Sequence, residues 1–264
     1  MGGRRDSSGT RVAPVFSALE ARGSAPWLRR LLSLPEPAGA LLPGELEVGS
    51  DLTCAFGHGS RKERRLAAPP SLLRWLIPRV ERPAIARKEH PETASHRRLL
   101  FDRDPSKVAE AIRLIDRGII TRGWHVFEGP TAPDVVIETS RVIVVIEGKR
   151  TERGPTRDTQ WMPGRHQMWR HIDAAWEVRG GRDVYGFFIV QGDQKGGIPE
   201  LWRRVAEETA SDAVLASSLP HRSDEERAAL RRSFLGVTTW DRVVSTFGLP
   251  PSVLIPSVEP RTRK

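Results

Sequence analysis

Beyond residue 100 the apolar positions follow two clear periods. Val108, Ile112, Ile115 and Ile119 share one helical stripe. Asp104 stands where a cap belongs, Pro105 at the first helical position, and Gly118 or Gly123 can end the helix. Residues 124–128 read as a short strand, turned by Gly129 and Pro130. Residues 134–139 read as a second strand, and Thr139, Ser140 and Arg141 as a tight connection. Residues 141–149 are nearly continuous in Val and Ile, the mark of a central strand covered on both faces. A polar loop spans 150–164, and 165–178 predicts a helix. Met168, Ile172 and Ala175 share one of its faces; Arg170, Asp173 and Glu177 share the opposite one. Gly180 and Gly181 end that helix, and 184–190 is a fourth strand. Ser223 followed by Glu226 is a capping box opening a further helix.

The order helix, three strands, helix, strand predicts an α/β fold. Two antiparallel connections precede a crossover helix, which gives a central mixed four-stranded sheet flanked by helices on both faces. The first hundred residues are less regular. Residues 1–25, rich in Gly, Ser, Arg and Ala, are expected to be disordered or loosely held. A short apolar run covers 27–34, and an apolar patch at 72–77 inside a basic stretch suggests a short helix. The expected organisation is a basic N-terminal region (1–100), a core (101–200), and a helical extension (201–264) with a frayed basic tail from 256. No internal repeat is visible.

Charge narrows the class of partner. The 264 residues carry a formal net charge of +9, which favours a polyanion. Residues 1–100 hold 17 Lys and Arg against 10 Asp and Glu, so +7 of the excess lies there, densest at Arg61, Lys62, Arg64 and Arg65. No apolar stretch reaches the length of a membrane span, and no apolar segment follows Arg4 and Arg5 as in a secretory signal. The single Cys fits a reducing, cytoplasmic setting.

The chemistry gathers at one spacing: Pro133-Asp134, twelve residues, then Glu147-Gly148-Lys149. Glu147 and Lys149 are two apart on a strand, so both point to one face. Asp134, at the start of the neighbouring strand, can approach the same point across a hairpin. Two carboxylates placed together call for a divalent cation, and hard oxygen ligands suit Mg²⁺, with Mn²⁺ able to substitute. Of 42 basic residues only six are Lys, so a Lys at 149 is notable where Arg is the default. Arg150, Arg153, Arg157 and Arg165 surround the adjoining polar loop, where phosphate contacts are their natural use. Trp161 in that loop can stack on a base or pack, and packing is the commoner use.

This arrangement resembles the PD-(D/E)xK nuclease superfamily, which includes restriction endonucleases and Holliday-junction resolvases. The resemblance covers residues 104–190, about a third of the chain. It implies a restriction-endonuclease-like core and a metal-dependent nuclease acting on nucleic acid, DNA favoured over RNA. It implies Asp134, Glu147 and the backbone carbonyl of Gly148 as metal ligands and Lys149 as the residue that activates water. Many members add a Glu from the first helix. Glu110 is the candidate here, although its helical angle favours solvent. Some branches add a Gln from the second helix, and Gln167 is placed for that role. His171, four residues on, departs from the aromatic residue usual there. The competing expectation is a catalytically inactive nucleic-acid-binding or regulatory protein with the same fold. A homodimer is left open.

Overall fold

A computed structural model describes residues 8–23, 26–36, 42, 46–57, 63–83 and 89–255. Arg61 and Lys62 of the basic run, and the expected tail from 256, lie outside the described residues. Among the described residues five strands form one open sheet in the order β1-β2-β3-β4-β5: Thr53–Phe56, Val135–Glu138, Val142–Gly148, Asp183–Val190 and Phe234–Thr239. The pairs β1·β2 and β2·β3 are antiparallel, β3·β4 and β4·β5 parallel. The sheet is therefore mixed, as expected, but has five strands rather than four. In chain order the α-helices are α1 (Ala13–Glu20), α2 (Pro26–Leu32), α3 (Pro70–Leu76), α4 (Pro91–Phe101), α5 (Pro105–Asp116), α6 (Gln167–Glu177), α7 (Glu200–Thr209), α8 (Asp212–Ser218), α9 (Asp224–Arg231) and α10 (Trp240–Thr246).

The sheet alternates its side chains between two cores. Val142, Val144 and Ile146 of β3 face one cluster with Val15, Phe16 and Leu19 of α1, Leu28 and Leu31 of α2, and Trp240 of α10. Ile143 and Val145 face the other, with Met168, Trp169 and Ile172 of α6 and Trp202 of α7. Period-two alternation between two apolar layers explains why β3 is apolar almost throughout. Helix α6 lies very close to β4: a methyl group at Gly186 would stand 2.6 Å from Ile172 Cγ1. That close approach brings the first two turns of α6 over the end of β3. A third, smaller cluster joins α3, α4 and α5 around Phe127 and Met162.

Three expectations are corrected here. Residues 124–128 form no strand, because their backbone finds other partners. Arg97 donates to the carbonyls of Trp124 (2.9 Å) and Val126 (3.0 Å), and Phe127 is buried in the third cluster. The first antiparallel strand is β1, from the N-terminal hundred residues. Residues 13–20, read as loosely held, are a helix with Val15, Phe16 and Leu19 buried. Finally, Phe234–Thr239 adds a buried fifth strand inside what the sequence suggested was a helical extension. Other local signals hold. Asp104 caps α5 by accepting from Lys107 N, Ser223 and Glu226 form the capping box of α9, and Thr139 Oγ1 accepts from Val142 N at 3.0 Å in the tight β2–β3 connection. The short helix at 72–77 is α3, and Trp161 packs on Phe101 and Phe127. Among the described residues no helix is long and apolar enough to cross a membrane.

Candidate active site

The register of β2 and β3 pairs Val135 with Ile146, so the next pair outward is Asp134 and Glu147. Asp134 Oδ2 accepts from Gly148 N at 2.9 Å. Gly148 is pressed between neighbours: a methyl group there would stand 2.8 Å from both Trp240 and Val12 side chains and 3.4 Å from Asp134 Oδ2. Only glycine lets α10 and the segment before α1 close over the end of β3 while Asp134 sits against its backbone.

Glu147 is buried, 6% exposed, and three nitrogens hold it. Lys149 Nζ donates to Oε1 at 2.9 Å, Gln167 Nε2 to the same oxygen at 2.6 Å, and His171 Nε2 lies 3.1 Å from Oε2. Burial raises the carboxyl pKa, but the hydrogen bond and charge of His171 and the charge of Lys149 outweigh it and hold Glu147 below the usual glutamate value. An anionic carboxylate accepts and cannot donate, so His171 Nε2 is the donor in this contact. Its Nδ1 lies 2.7 Å from Thr131 Oγ1. Thr131 is pinned in turn by a two-way backbone bridge to Leu66, with N···O distances of 2.8 and 2.9 Å. Lys149 is 8% exposed, and Nζ also donates to Gln167 Oε1 at 3.1 Å. The amide of Gln167 thus spans the ion pair, while its Oε1 also accepts from Thr156 N at 3.2 Å in the polar loop.

Asp134, Glu147, Gly148 and Lys149 are therefore brought together as the spacing indicated, and Gln167 joins them. His171 and Thr131 were not selected from the sequence. The i, i+4 spacing of Gln167 and His171 was the available signal, and it was read as a departure from a pattern. Glu110 is engaged elsewhere: its carboxylate accepts from Lys107 at 2.6 Å and its side chain is 40% exposed. Arg165 cannot meet a phosphate. It is fully buried, with Nη2 2.9 Å from Glu128 and 2.8 Å from Asp173. Arg157 is exposed and pairs with Glu208 of α7, Arg153 is exposed, and Arg150 is half-buried and donates to Thr10. Asp173, placed by helical angle on the polar face of α6, is wholly buried.

The fit to a cation rests on the donor set. Among the described residues no group of three or more His, Cys, Asp or Glu side chains gathers to hold a metal. Mg²⁺ needs fewer, since it keeps several waters and takes one or two carboxylates. Asp134, which accepts from Gly148 N, and Glu147 of the adjoining strand are two such carboxylates. Glu147 would have to share its oxygens with the nitrogens that now hold them. Comparison with protein-family models, with curated proteins and with solved structures finds no match to this chain.

Proposed function

We propose that the chain is a metal-dependent nuclease of the PD-(D/E)xK type, hydrolysing phosphodiester bonds with DNA favoured over RNA. The observation that carries this reading is the convergence of Asp134, Glu147 and Lys149 at the C-terminal end of β3, on a mixed sheet with helices on both faces. Asp134, Glu147 and the Gly148 carbonyl would hold Mg²⁺, or Mn²⁺ in its place. The cation would supply charge for a scissile phosphate oxygen and acidify an attacking water.

The chain's own groups divide the remaining work. Lys149 has three N–H donors and spends one on Glu147 and one on Gln167. The third can orient a water or meet the charge that develops on phosphate. Gln167 fixes the direction of that ammonium by accepting from it while donating to Glu147. His171 keeps Glu147 ionised and directs its second oxygen. All three act from elements locked by packing, α6 on Gly186 and β3 between two cores, which is how a site keeps its geometry.

A second reading, a nucleic-acid-binding protein with this fold and no turnover, is favoured by one observation. Both oxygens of Glu147 are already engaged by nitrogen donors. Incubation with supercoiled, linear and single-stranded DNA and with RNA, with and without Mg²⁺ or Mn²⁺, separates the two. Metal-dependent cleavage of DNA is expected; binding without cleavage in either metal supports the second reading.

A further inference from the structure

Just past the end of β3 the chain meets its N-terminal segment. Arg150 Nη1 donates to Thr10 Oγ1 at 3.2 Å. Beside it Arg11 is 7% exposed. Arg11 Nε and Nη2 both donate to Gln191 Oε1 at 3.2 Å, and Nη1 donates to the carbonyls of Thr10 (3.0 Å) and Leu254. Gln191 immediately follows β4. The two guanidiniums therefore meet where two parallel strands end, one residue beyond Lys149.

Among the described residues, every hydrogen-bond acceptor these guanidiniums use is neutral. Among the described residues neither forms an ion pair, although Arg165 and Arg222 each have at least two carboxylate partners. The acids nearby are directed elsewhere. Glu152 Oε2 accepts from the backbone N–H groups of Arg150 (2.8 Å) and Thr151 (3.0 Å). Asp241 Oδ2 lies 3.5 Å from Gln191 Nε2. Burial and the charge of Arg150 lower the pKa of Arg11, with Asp241 acting weakly the other way. Of its five N–H donors a guanidinium presents, Arg150 spends one and Arg11 four. Two like charges held together at a partly buried point are unfavourable until an anion arrives. A phosphate, with several acceptor oxygens, suits donors arranged as a fork.

We propose that Arg11 and Arg150 form a clamp for a backbone phosphate of the nucleic acid, next to the site at Lys149. This rests on the nuclease reading for the identity of the anion. It also gives the N-terminal segment a role that its charge density alone does not indicate: one buried Arg and one Thr, rather than the exposed Arg64 and Arg65.

The test is binding of a short labelled DNA duplex to the full chain, read by anisotropy without Mg²⁺ over a series of salt concentrations. Arg150→Gln removes a half-buried group with one side-chain partner, so the fold should persist; circular dichroism and Tm check this. Its affinity should fall about tenfold at low salt, and the slope of log K against log salt should shrink by about one. Arg150→Lys should restore the slope. Arg11→Lys, which keeps the charge and loses the fork, should lose affinity with the slope unchanged. A folded Arg150→Gln variant with wild-type affinity and slope overturns the proposal, as does a wild type that binds no duplex. So does inorganic phosphate at matched ionic strength raising the Tm of wild type but not of Arg150→Gln while duplex binding is unaffected, which would make this a site for free phosphate. A wild type that binds duplex through this pair but cleaves nothing would remove the nuclease reading and leave the clamp.

Discussion

Helix α6 serves two buried carboxylates, Glu147 and Asp173, and their surroundings differ in kind. Asp173 is 0% exposed. Its Oδ2 accepts from Arg165 at 2.8 Å and its Oδ1 from Arg222 at 3.0 Å, with His221 3.2 Å away. Arg165 also binds Glu128 through two nitrogens and the Ser218 carbonyl at 2.7 Å, and Arg222 reaches Glu177 and Glu226. Burial raises the carboxyl pKa of Asp173, but the charge of Arg165 and then His221 and Arg222 drive it far below the usual range. Glu147 instead has one ammonium, one amide and one imidazole, with a second carboxylate, Asp134, across the strand pair. One centre is closed and saturated by guanidiniums. The other holds exchangeable donors at the end of a strand. A buried charge network does not by itself mark a functional site; the kind of donor separates the two.

The sharpest way to break this comparison is at Glu147. Glu147→Gln should lower metal-dependent cleavage by roughly 10²–10⁴-fold and weaken Mg²⁺ binding measured by calorimetry. From sequence, removing one of two crowded carboxylates would be expected to stabilise the metal-free chain. The structure reverses that: Lys149 would lose its buried partner, so the Tm should fall. A Tm that rises would show that Asp134 and Glu147 repel more than Lys149 attracts.

Arg165→Ala probes the closed centre. It leaves Glu128 and Asp173 buried without their shared guanidinium, and a loss of about 3–5 kcal/mol is expected, read from urea midpoints. The residual folded fraction should keep metal-dependent cleavage. Near wild-type stability would mean the network is dispensable.

His166 precedes α6 and caps it, its Nδ1 accepting from Met168 N at 3.3 Å. Burial, then the charge of Arg157, lower its pKa from 6.5 to about 4. The unfolded chain therefore binds a proton that the folded chain refuses between those values. The stabilisation is complete above pH 6.5 and is lost as pH falls towards 4, a total of about 3 kcal/mol with about 2 kcal/mol gone by pH 5. His166→Asn keeps a capping oxygen and should shrink the difference in stability between pH 7 and pH 5 by that amount. An unchanged pH profile would show that His166 does not titrate in this window.

The smallest effect is expected at Arg157. It is an exposed partner of Glu208, and such pairs contribute about 0–1 kcal/mol. Arg157→Ala should therefore leave the urea midpoint almost in place; a large loss would mean the polar loop is clamped to α7 more firmly than an exposed ion pair allows.

The parts legible in the sequence were those set by local chemistry. The Val/Ile run of β3 announced a strand buried on both faces, and the period-two spacing of Glu147 and Lys149 put them on one face. Asp104 and Ser223 announced their helix starts through hydrogen bonds that span three residues. What was not legible depends on long-range partners. Residues 124–128 have strand composition, yet Arg97 takes their carbonyls. Thr53–Phe56 is a short stretch with little pattern of its own, and only its pairing with β2 makes it a strand. Arg165 and Asp173 looked like solvent-facing charges because charge type says nothing of burial when a neutralising group lies tens of residues away, as Glu128 does from Arg165 and Arg222 from Asp173. His171 was visible as a spacing but lacked a reason until Glu147 and Thr131 were seen on its two nitrogens.

The central claim, that Lys149 acts on phosphodiester hydrolysis beside Asp134 and Glu147, is tested most directly by the single-turnover cleavage rate of supercoiled DNA at saturating Mg²⁺, wild type beside Lys149→Ala. The account predicts cleavage by the wild type that disappears on chelation, and a rate for the variant lower by at least about 10²-fold with duplex binding nearly intact. A variant that cleaves at the wild-type rate, or a wild type that cleaves as fast without a divalent cation, would contradict it.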